Sequence, residues 1–565
     1  MEKSVWTKGL AYTAWEDELE QIYSLIFGLP DNWEIILEYI LPREYRRPDV
    51  ILLTGKEVIV LEFKQYNEVH FSHIDQVRGY VRDLKEYQSY CANHEVIPFV
   101  ILTGENHNLQ NYDRTLGTIP ALSPDKFLEK ISKYMESCAN FNPLDFLLAE
   151  YQPLPTILSA AKLLMEGNPL PQIKTAKSSQ INETVEYIQG ITNKTIDNNK
   201  NALLFLTGVP GSGKTLVGLQ YTFNNIIENR QHAVMLSGNG PLVTVFNKIF
   251  NNKSIVQKVN NFIKEYYQFS DRTPHEDILI FDEAQRAWSA EQYKDLNSEP
   301  KRLLKIASRK KGCVFLCLMG EGQEIYKGEE CGPEQWNEAV QQMNTLWDIY
   351  CPPHYASFFP AANTSKLLNL DTSLRSKSAK LLPKWVEAVL NHDATKAKSY
   401  LSQNNLIYDF TILITQNINN IQTYFSERYT NEEEKTYGFV TSSDGTTILR
   451  PPELNSYAIG DWFTATKESG LSCKSLTACA TEFQCQGLEL DTPVVYWRDD
   501  FLVKNDQWLV NSTRHDSDDE NVRFNFRKNT YRVLLTRGRE GLIIYIPPIK
   551  ILDETFKFIS DCLKK

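Results

Sequence analysis

The segment LLFLTGVPGSGKTLVGLQ, residues 203–220, decides the fold that we expect for this 565-residue chain. An apolar run is followed by a glycine-rich turn and then by an amphipathic pattern, which predicts a buried strand, a loop and a helix. Glycines in such a turn let backbone N–H groups surround a polyphosphate at the positive end of the helix. The segment therefore predicts a phosphate-binding loop. Its residues are Gly208, Pro210, Gly211, Ser212, Gly213, Lys214 and Thr215.

Two side chains of this loop and two carboxylates further along predict a nucleotide site. Lys214 would reach the β- and γ-phosphates, and the Thr215 hydroxyl would hold Mg²⁺. The segment DILIFDEAQRAW, residues 277–288, is a short apolar strand that ends in Asp282 and Glu283. We expect Asp282 to hold the same Mg²⁺, and Glu283 to orient and deprotonate the attacking water. The predicted ligand is ATP or GTP.

A third apolar strand with a polar end lies in VFLCLMGEGQEIY, residues 314–326. Its Gln323 occupies the position expected of a γ-phosphate sensor. Strands that end in such motifs and alternate with helices indicate a parallel sheet, with the site at the carboxyl ends of the strands.

Together these motifs resemble those of superfamily 1 helicases. The signatures LSGNGPLV (236–243), FDEAQRAW (281–288) and TEFQCQGLELD (481–491) are similar to the Schlafen-group helicase-like branch, over residues 165–565. The resemblance implies two RecA-like lobes that use ATP and Mg²⁺ to act on nucleic acid.

The resemblance also implies roles for residues of the second lobe. Arg375 in LDTSLRSK and Arg537 in YRVLLTRGREGL match the two arginines that would reach across the cleft to the γ-phosphate. Three further residues match the motif that couples nucleotide state to the bound strand: Gln486, Gly487 and Glu489.

A second kind of chemistry is predicted by RRPDVILLTGKEVIVLEFKQ, residues 46–65. Two β-rich runs flank a turn with glycine first, which indicates a hairpin. If residues 55 and 56 form the turn, the numbers of paired residues sum to 111, so Asp49 lies opposite Glu62 on one sheet face. Lys64 shares that face. The constellation suits metal-dependent phosphodiester cleavage, although an exposed ladder of ion pairs would have the same pattern.

In this reading Asp49 and Glu62 bind Mg²⁺ or Mn²⁺, and Lys64 orients or activates the water. The sequence PD followed by ExK resembles the PD-(D/E)XK nucleases, over about residues 10–150. The helix that follows carries Gln76 and Tyr80, similar to the QxxxY signature of the RecB-type branch. The resemblance implies a restriction-endonuclease-like α/β/α domain.

The roles of several residues near this predicted site are left open. The nuclease family often adds an acid from its first helix, for which Glu16, Glu18 and Glu20 compete. His70 and His73 flank the site, and we expect surface or helix-start roles for them.

The fold class predicted is therefore α/β, with four segments. A nuclease domain covers 1–150, a proline-rich linker 151–180, a first RecA-like lobe 181–350 and a second 351–565. In the linker region, Gln172 or Gln180 could recognise the adenine base, as an upstream glutamine does in this superfamily.

Composition limits the remaining possibilities. The chain is 42% hydrophobic, which is ample for packed cores, and no apolar run approaches the ~20 residues that span a bilayer. The ten scattered cysteines form no CxxC pair, so we expect reduced, buried thiols and neither a zinc site at standard spacing nor an iron–sulfur cluster. The charged N-terminus does not resemble a secretion signal, and we expect a soluble, cytoplasmic protein.

A net charge of −11 argues against nonspecific coating of nucleic acid but not against binding in a local basic groove. Candidate basic stretches are 301–311 and 523–539, each of which could equally be a solvated helix face.

The function predicted is an ATP-driven nuclease–helicase that acts on DNA in preference to RNA, with antiphage defence as its role by analogy with similar fusions. The alternatives are a nuclease–helicase of DNA repair or recombination, a nucleotide-gated nuclease switch without processive unwinding, and a binding module with an inactive front domain. Protein partners or a homo-oligomer remain open, and no membrane partner is expected.

Overall fold

In the computed structural model of the chain, the described residues are 25, 28–42, 46–104, 112–116, 119–135, 141–151, 156–166, 180–209, 211–227, 231–269, 271–294, 296–320, 332–371, 377–403, 410–430, 432, 434–445, 452–455, 458–511 and 519–564. They belong to two compact units. The first comprises Met1–Pro153 and Ser402–Lys435, and the second comprises Leu154–Leu401 and Thr436–Lys565.

The strands are β1 (Glu34–Leu37), β2 (Val50–Leu53), β3 (Glu57–Lys64), β4 (Glu95–Leu102), β5 (Asp113–Leu116), β6 (Ile119–Leu122), β7 (Asn201–Gly208), β8 (Ala233–Ser237), β9 (Val256–Lys258), β10 (Ile278–Asp282), β11 (Val314–Gly320), β12 (Trp347–Cys351), β13 (Asn363–Thr364), β14 (Asn369–Leu370), β15 (Thr411–Thr415), β16 (Tyr437–Thr441), β17 (Cys479–Thr481), β18 (Thr492–Tyr496), β19 (Phe501–Lys504), β20 (Gln507–Val510) and β21 (Gly541–Tyr545).

The helices are α1 (Phe71–Tyr87), α2 (Pro124–Met135), α3 (Pro143–Leu147), α4 (Ile157–Met165), α5 (Gln180–Asp197), α6 (Lys214–Ile227), α7 (Gly240–Phe250), α8 (Val259–Ile263), α9 (Ala290–Tyr293), α10 (Glu299–Ala307), α11 (Pro333–Gln341), α12 (Lys377–Leu390), α13 (Ala394–Gln403), α14 (Ile418–Arg428), α15 (Ile459–Thr464), α16 (Glu482–Cys485), α17 (Glu520–Leu535) and α18 (Asp553–Leu563).

The first unit is built on a six-stranded sheet in the order β1-β2-β3-β4-β6-β5. Its two edges are antiparallel pairs, and the centre, β3-β4-β6, is parallel. Both faces are covered, because α1 packs its apolar side on the face that carries Val58 and Val60, and α2 covers the face that carries Ile59 and Leu61. The helices on both faces give three layers, and assignment of this unit to the restriction-endonuclease-like class stays a prediction.

The segment Ser402–Lys435 contributes β15 and α14 to this unit, although it lies inside the predicted second lobe, 351–565. Helix α14 packs against α1. Asp75 accepts hydrogen bonds from Thr411 (2.6 Å) and Tyr424 (2.9 Å), so the segment is held by buried polar contacts as well as by apolar packing. The other predicted domain bounds stay predictions.

The second unit contains two parallel sheets. The larger has the order β13-β12-β7-β11-β10-β8-β9, with β14 also paired to β7, and every pairing in it is parallel. The smaller has four parallel strands of this unit in the order β21-β18-β16-β17. The mixed α/β fold with parallel sheets that the motifs predicted is confirmed. Among the described residues, no helix has the length and apolarity needed to cross a membrane.

Candidate functional site

The phosphate-binding loop lies at the carboxyl end of β7. Gly208 ends the strand and α6 starts at Lys214, so the loop spans only the residues between them. Gly211 and Gly213 have φ angles of 74° and 91°, in the left-handed region that glycine adopts without steric cost. The Lys214 ammonium donates to the carbonyl oxygens of Gly208 (2.7 Å) and Val209 (3.2 Å), which holds it over the loop. Pro210 lies outside the described residues.

A hydroxyl and a carboxylate meet beside this loop. Thr215 donates a hydrogen bond to Asp282, which ends β10, with 3.1 Å between the oxygens. Burial, reinforced by the neighbouring Glu283 carboxylate, raises the pKa of Asp282 to about 7, against the opposing effects of Thr215, Lys214 and Arg286. A bound divalent cation would stabilise the charged carboxylate, and hydroxyl and carboxylate oxygens are the donors that Mg²⁺ prefers. The predicted pair Thr215 and Asp282 therefore fits a magnesium ion.

Glu283 follows in a strained backbone conformation, with a φ angle of 57°. Gln285 holds it there, since the Gln285 amide donates to the Glu283 carboxylate and accepts from the Gly320 N–H at 2.8 Å. Gly320 is the last residue of β11, next to β10 in the sheet. These two hydrogen bonds of Gln285 thus connect the predicted catalytic carboxylate to the ends of two adjacent strands. The sequence reasoning did not single out Gln285, and its place two residues after Glu283 was the available signal.

A contact joins the predicted coupling motif to the signature segment 236–243 of the predicted first lobe. Asn239 Nδ2 donates to the backbone oxygen of Gln486 at 2.5 Å. Gly487 follows with a φ angle of 71°, and a Cβ atom there would lie 2.6 Å from Asn239 Nδ2. A side chain at this position would therefore be strained and would displace the Asn239 amide. Asn239 is a further residue that sequence reasoning quoted only within the signature LSGNGPLV.

The side chain of Gln486 also contacts Arg286, in the turn that follows β10. With its amide oxygen towards Arg286, it accepts hydrogen bonds from both Nη atoms of that guanidinium. Arg286 Nε lies 3.8 Å from the Glu283 carboxylate. Arg286 therefore connects a residue of the second lobe to the carboxylate predicted to activate water.

Two other predicted second-lobe residues have partners within their own part of the chain. Glu489 is 3.9 Å from Arg539 Nε, and Arg537 Nε donates to the carbonyl of Val533 at 3.0 Å, beside the end of α17. Gln323 and Arg375 lie outside the described residues, so their predicted roles remain predictions.

The front hairpin has the register predicted from its turn. Val50 pairs with Leu61 and Leu53 with Val58, so paired numbers sum to 111 as expected. Gly55 in the turn has a φ angle of 89°. This register prediction is confirmed, and it sets Asp49, directly before β2, at the position opposite Glu62.

The three charged residues of the hairpin are held close to one another. Asp49 Oδ2 accepts a hydrogen bond from the backbone N–H of Phe63 at 2.7 Å. Lys64 Nζ lies 2.9 Å from Glu62 Oε1. Glu62 is 2% exposed, and its other oxygen, Oε2, has no hydrogen-bond partner. Because an unpartnered buried carboxylate oxygen is costly, the site fits a bound cation at this position.

Helix α1 brings the predicted QxxxY pair to the same place. Gln76 Nε2 donates to Tyr80 Oη at 3.0 Å, and both side chains are buried. Burial is the main cause that raises the pKa of Tyr80 well above its usual value, and the nearby Glu62 carboxylate is the second. Glu62 and the pair Gln76 and Tyr80 are therefore buried near one another where α1 packs on the sheet. The candidates Glu16, Glu18, Glu20 and Gln172 lie outside the described residues, as does the side chain of Gln180.

The candidate basic stretches contain arginines with internal partners. Arg302 is 3% exposed and lies over the Tyr293 ring, 3.9 Å from its centroid. Arg527 is buried against the carboxylates of Asp444 and Asp500, at 3.5 Å and 3.4 Å. The internal contacts of these two arginines stabilise the fold. All the cysteines in the described part of the chain are free and buried, as predicted.

Comparisons with known proteins agree with the helicase motifs. Residues 201–548, more than half of the chain, match the family model described as Schlafen group 3, DNA/RNA helicase domain. No curated protein matches the sequence.

The solved structures similar to this chain have low sequence identities and low TM-scores. A structure of two coordinating Pif1 helicases at forked duplex DNA has 12% identity and a TM-score of 0.28, covering 66% of this chain and 97% of that one. The Hef helicase domain of Pyrococcus furiosus has 11% identity and a TM-score of 0.23, covering 66% and 97%. The DUF1998 helicase MrfA bound to DNA has 10% identity and a TM-score of 0.29, covering 73% and 55%.

Proposed function

The chain belongs to the Schlafen group 3 DNA/RNA helicase domain family, and from this premise we propose that it is an ATP-dependent nuclease–helicase. It translocates on or unwinds nucleic acid with its two RecA-like lobes. It cleaves that nucleic acid with a metal-dependent site in the N-terminal unit.

The motor part of the proposal is supported by the contacts around the phosphate loop. Lys214 would bind the β- and γ-phosphates, and Glu283 would orient the attacking water and take its proton. Mg²⁺ bound at Thr215 and Asp282 would neutralise phosphate charge. The hydrogen bonds from Asn239 and Arg286 to Gln486 give the second lobe a direct response to changes beside Glu283.

The nuclease part rests on one observation above the others. Glu62 is a buried carboxylate with one oxygen on Lys64 and the other without a partner, placed by the hairpin register opposite Asp49. A purely structural ion pair would have both oxygens satisfied or exposed to water. Asp49 and Glu62 would hold Mg²⁺ or Mn²⁺, which supplies Lewis-acid polarisation of the phosphodiester. Lys64 would orient the water and offset charge as it develops on the phosphate.

We propose DNA as the preferred substrate because the front domain resembles DNA-cutting nucleases, while the family description includes both DNA and RNA. Degradation of foreign nucleic acid, as in antiphage defence, is the proposed role by analogy with similar fusions. DNA repair or recombination is the alternative role.

Cleavage of defined nucleic acids tests this function. Single-stranded, duplex and tailed DNA and the matching RNAs are incubated with the full chain, with and without ATP and Mg²⁺. We expect Mg²⁺-dependent cleavage of DNA that ATP enhances, and displacement of the shorter strand from tailed duplexes. ATP hydrolysis and cleavage without strand displacement would instead indicate a nucleotide-gated switch. Intact substrates under every condition would contradict the nuclease assignment.

A further inference from the structure

Three potential metal ligands meet in the first unit, outside the Asp49–Glu62 site. They are His70 and His73, at the start of α1, and Glu427, on α14. One ligand atom from each lies within 4.8 Å of the other two. His70 and Glu427 are 357 residues apart in the chain, so only the docking of α14 on α1 brings them together.

The distances are close to those of a metal centre. His70 Nδ1 lies 3.0 Å and 3.1 Å from the two oxygens of Glu427. Ligand atoms bound at about 2.0–2.1 Å to a tetrahedral zinc ion are roughly 3.3 Å apart. The His70 and His73 rings stack with 4.9 Å between centroids and 10° between planes. A zinc ion lies in the plane of each imidazole that binds it, so the His70 and His73 rings would have to turn out of this stacked arrangement to share one ion.

Contacts around the cluster hold its ligand atoms in place. The His73 side chain is buried, at 1% exposure. Its Nδ1 accepts only a long hydrogen bond, 3.4 Å, from the His70 N–H. The Ser72 hydroxyl donates to Glu427, the kind of outer contact that orients a ligating carboxylate.

We propose that His70, His73 and Glu427 bind one zinc ion, which fastens the segment Ser402–Lys435 to helix α1. Two imidazoles and a carboxylate suit Zn²⁺, whereas the oxygen-only pair Asp49 and Glu62 suits Mg²⁺ or Mn²⁺. His70 is 40% exposed at its side chain, so the fourth coordination position is open to water. The site is independent of the nuclease assignment, and its proposed effect is on the stability of the first unit.

Zinc binding by the full chain tests the proposal. Metal-free protein is titrated with Zn²⁺ in millimolar Mg²⁺, which occupies the oxygen-only sites, and binding is followed by competition with a fluorescent chelator. We expect one zinc per chain and a rise in the melting temperature of the protein. Replacement by Co²⁺ should give visible absorption bands of imidazole-bound cobalt.

The variants Glu427→Gln and His73→Asn should each weaken zinc binding at least about tenfold and remove the thermal shift. His94→Asn removes a histidine of the same unit outside the cluster and serves as the matched control. Circular dichroism and ATP hydrolysis verify folding, and if His73→Asn does not fold, the less buried Glu427→Gln decides the question.

Two results would overturn the proposal. One is equal zinc affinity in the wild type and Glu427→Gln. The other is loss of the zinc in Glu62→Gln with retention in Glu427→Gln, which would assign the ion to the hairpin site.

Discussion

At the scale of single residues, the environment of Glu283 explains how one carboxylate can be kept ready for catalysis. Its left-handed backbone, with a φ angle of 57°, costs energy that the Gln285 hydrogen bonds offset. Asp282, one residue earlier, is buried and pairs with Thr215. In the proposed mechanism, these neighbouring carboxylates have separate tasks, the first to bind the cation and the second to activate water.

Replacing Glu283 by glutamine should stop turnover without preventing ATP binding. The amide keeps the shape of the side chain but cannot accept the proton of the attacking water, so we expect hydrolysis to fall by about 10²–10⁴-fold. Steady-state hydrolysis and equilibrium binding of a fluorescent ATP analogue measure the two effects. Glu291→Gln, on the exposed face of α9, is the control. Wild-type turnover in Glu283→Gln would remove this residue from the catalytic role.

The sequence predicted residues whose chemistry depends on local spacing. The phosphate-loop glycines, Lys214 and the pair Asp282 and Glu283 belong to short motifs, each read within about a dozen residues. Asn239 and Arg286 could not be assigned in this way, because their proposed roles depend on Gln486, which is distant from both in the chain and 247 residues from Asn239. His70 and Glu427 show the same limit, since a surface or helix-start role was expected for His70.

At the scale of structural elements, the hairpin and the helix α1 differ in how far the sequence could predict them. The β2–β3 register follows from a two-residue turn and the two-residue period of strands, both local properties. The packing of α14 on α1 does not follow from local properties. Arg46 forms ion pairs with both Glu432 and Asp83, in a buried cluster assembled from three distant segments. Charged residues on a helix indicate a solvated face unless the partner is known.

Alanine substitutions at two helical glycines should have opposite effects. A Cβ at Gly79, in α1, would lie 2.9 Å from Arg428 Nη2 and nearer still to Arg46 Nη2, and both guanidinium groups are buried in ion pairs. We expect Gly79→Ala to destabilise α1 by about 1–3 kcal/mol. Gly190, in α5, has no atom within 4 Å of such a Cβ, so Gly190→Ala should stabilise its helix by about 0.5–1 kcal/mol.

Hydrogen exchange of the two helices, followed by mass spectrometry, measures both effects in the intact protein. Exchange of α1 should become faster in Gly79→Ala, and exchange of α5 slower in Gly190→Ala. Slower exchange of α1 in Gly79→Ala would show that the buried arginines can move aside, contrary to the packing described above.

At the scale of the whole molecule, direct contacts between the predicted lobes of the second unit are candidates for the proposed coupling. The Asn239 side chain is one of them, and it also caps α7 by accepting from the Leu242 N–H at 3.2 Å. Its donor and acceptor functions can be separated, because aspartate keeps the cap and loses the donor to Gln486.

We therefore expect Asn239→Asp to reduce the stimulation of ATP hydrolysis by nucleic acid about fivefold, the equivalent of one hydrogen bond of about 1 kcal/mol. Basal hydrolysis should persist, since the phosphate loop is intact. Hydrolysis rates with and without single-stranded DNA measure this ratio. Asn252→Asp, whose exposed side chain also accepts from a nearby N–H, is the control. An unchanged ratio in Asn239→Asp would exclude this contact as a route of coupling.

The central claim is that one chain has two chemically separate centres, and Lys64→Ala tests it most directly. DNA cleavage and ATP hydrolysis are measured on the same preparations of wild type, Lys64→Ala and Lys56→Ala, the last altering an exposed lysine of the hairpin turn. We predict that Lys64→Ala loses cleavage by at least about 10²-fold while it hydrolyses ATP at the wild-type rate, and that Lys56→Ala keeps both activities. Cleavage by Lys64→Ala at the wild-type rate would contradict the account.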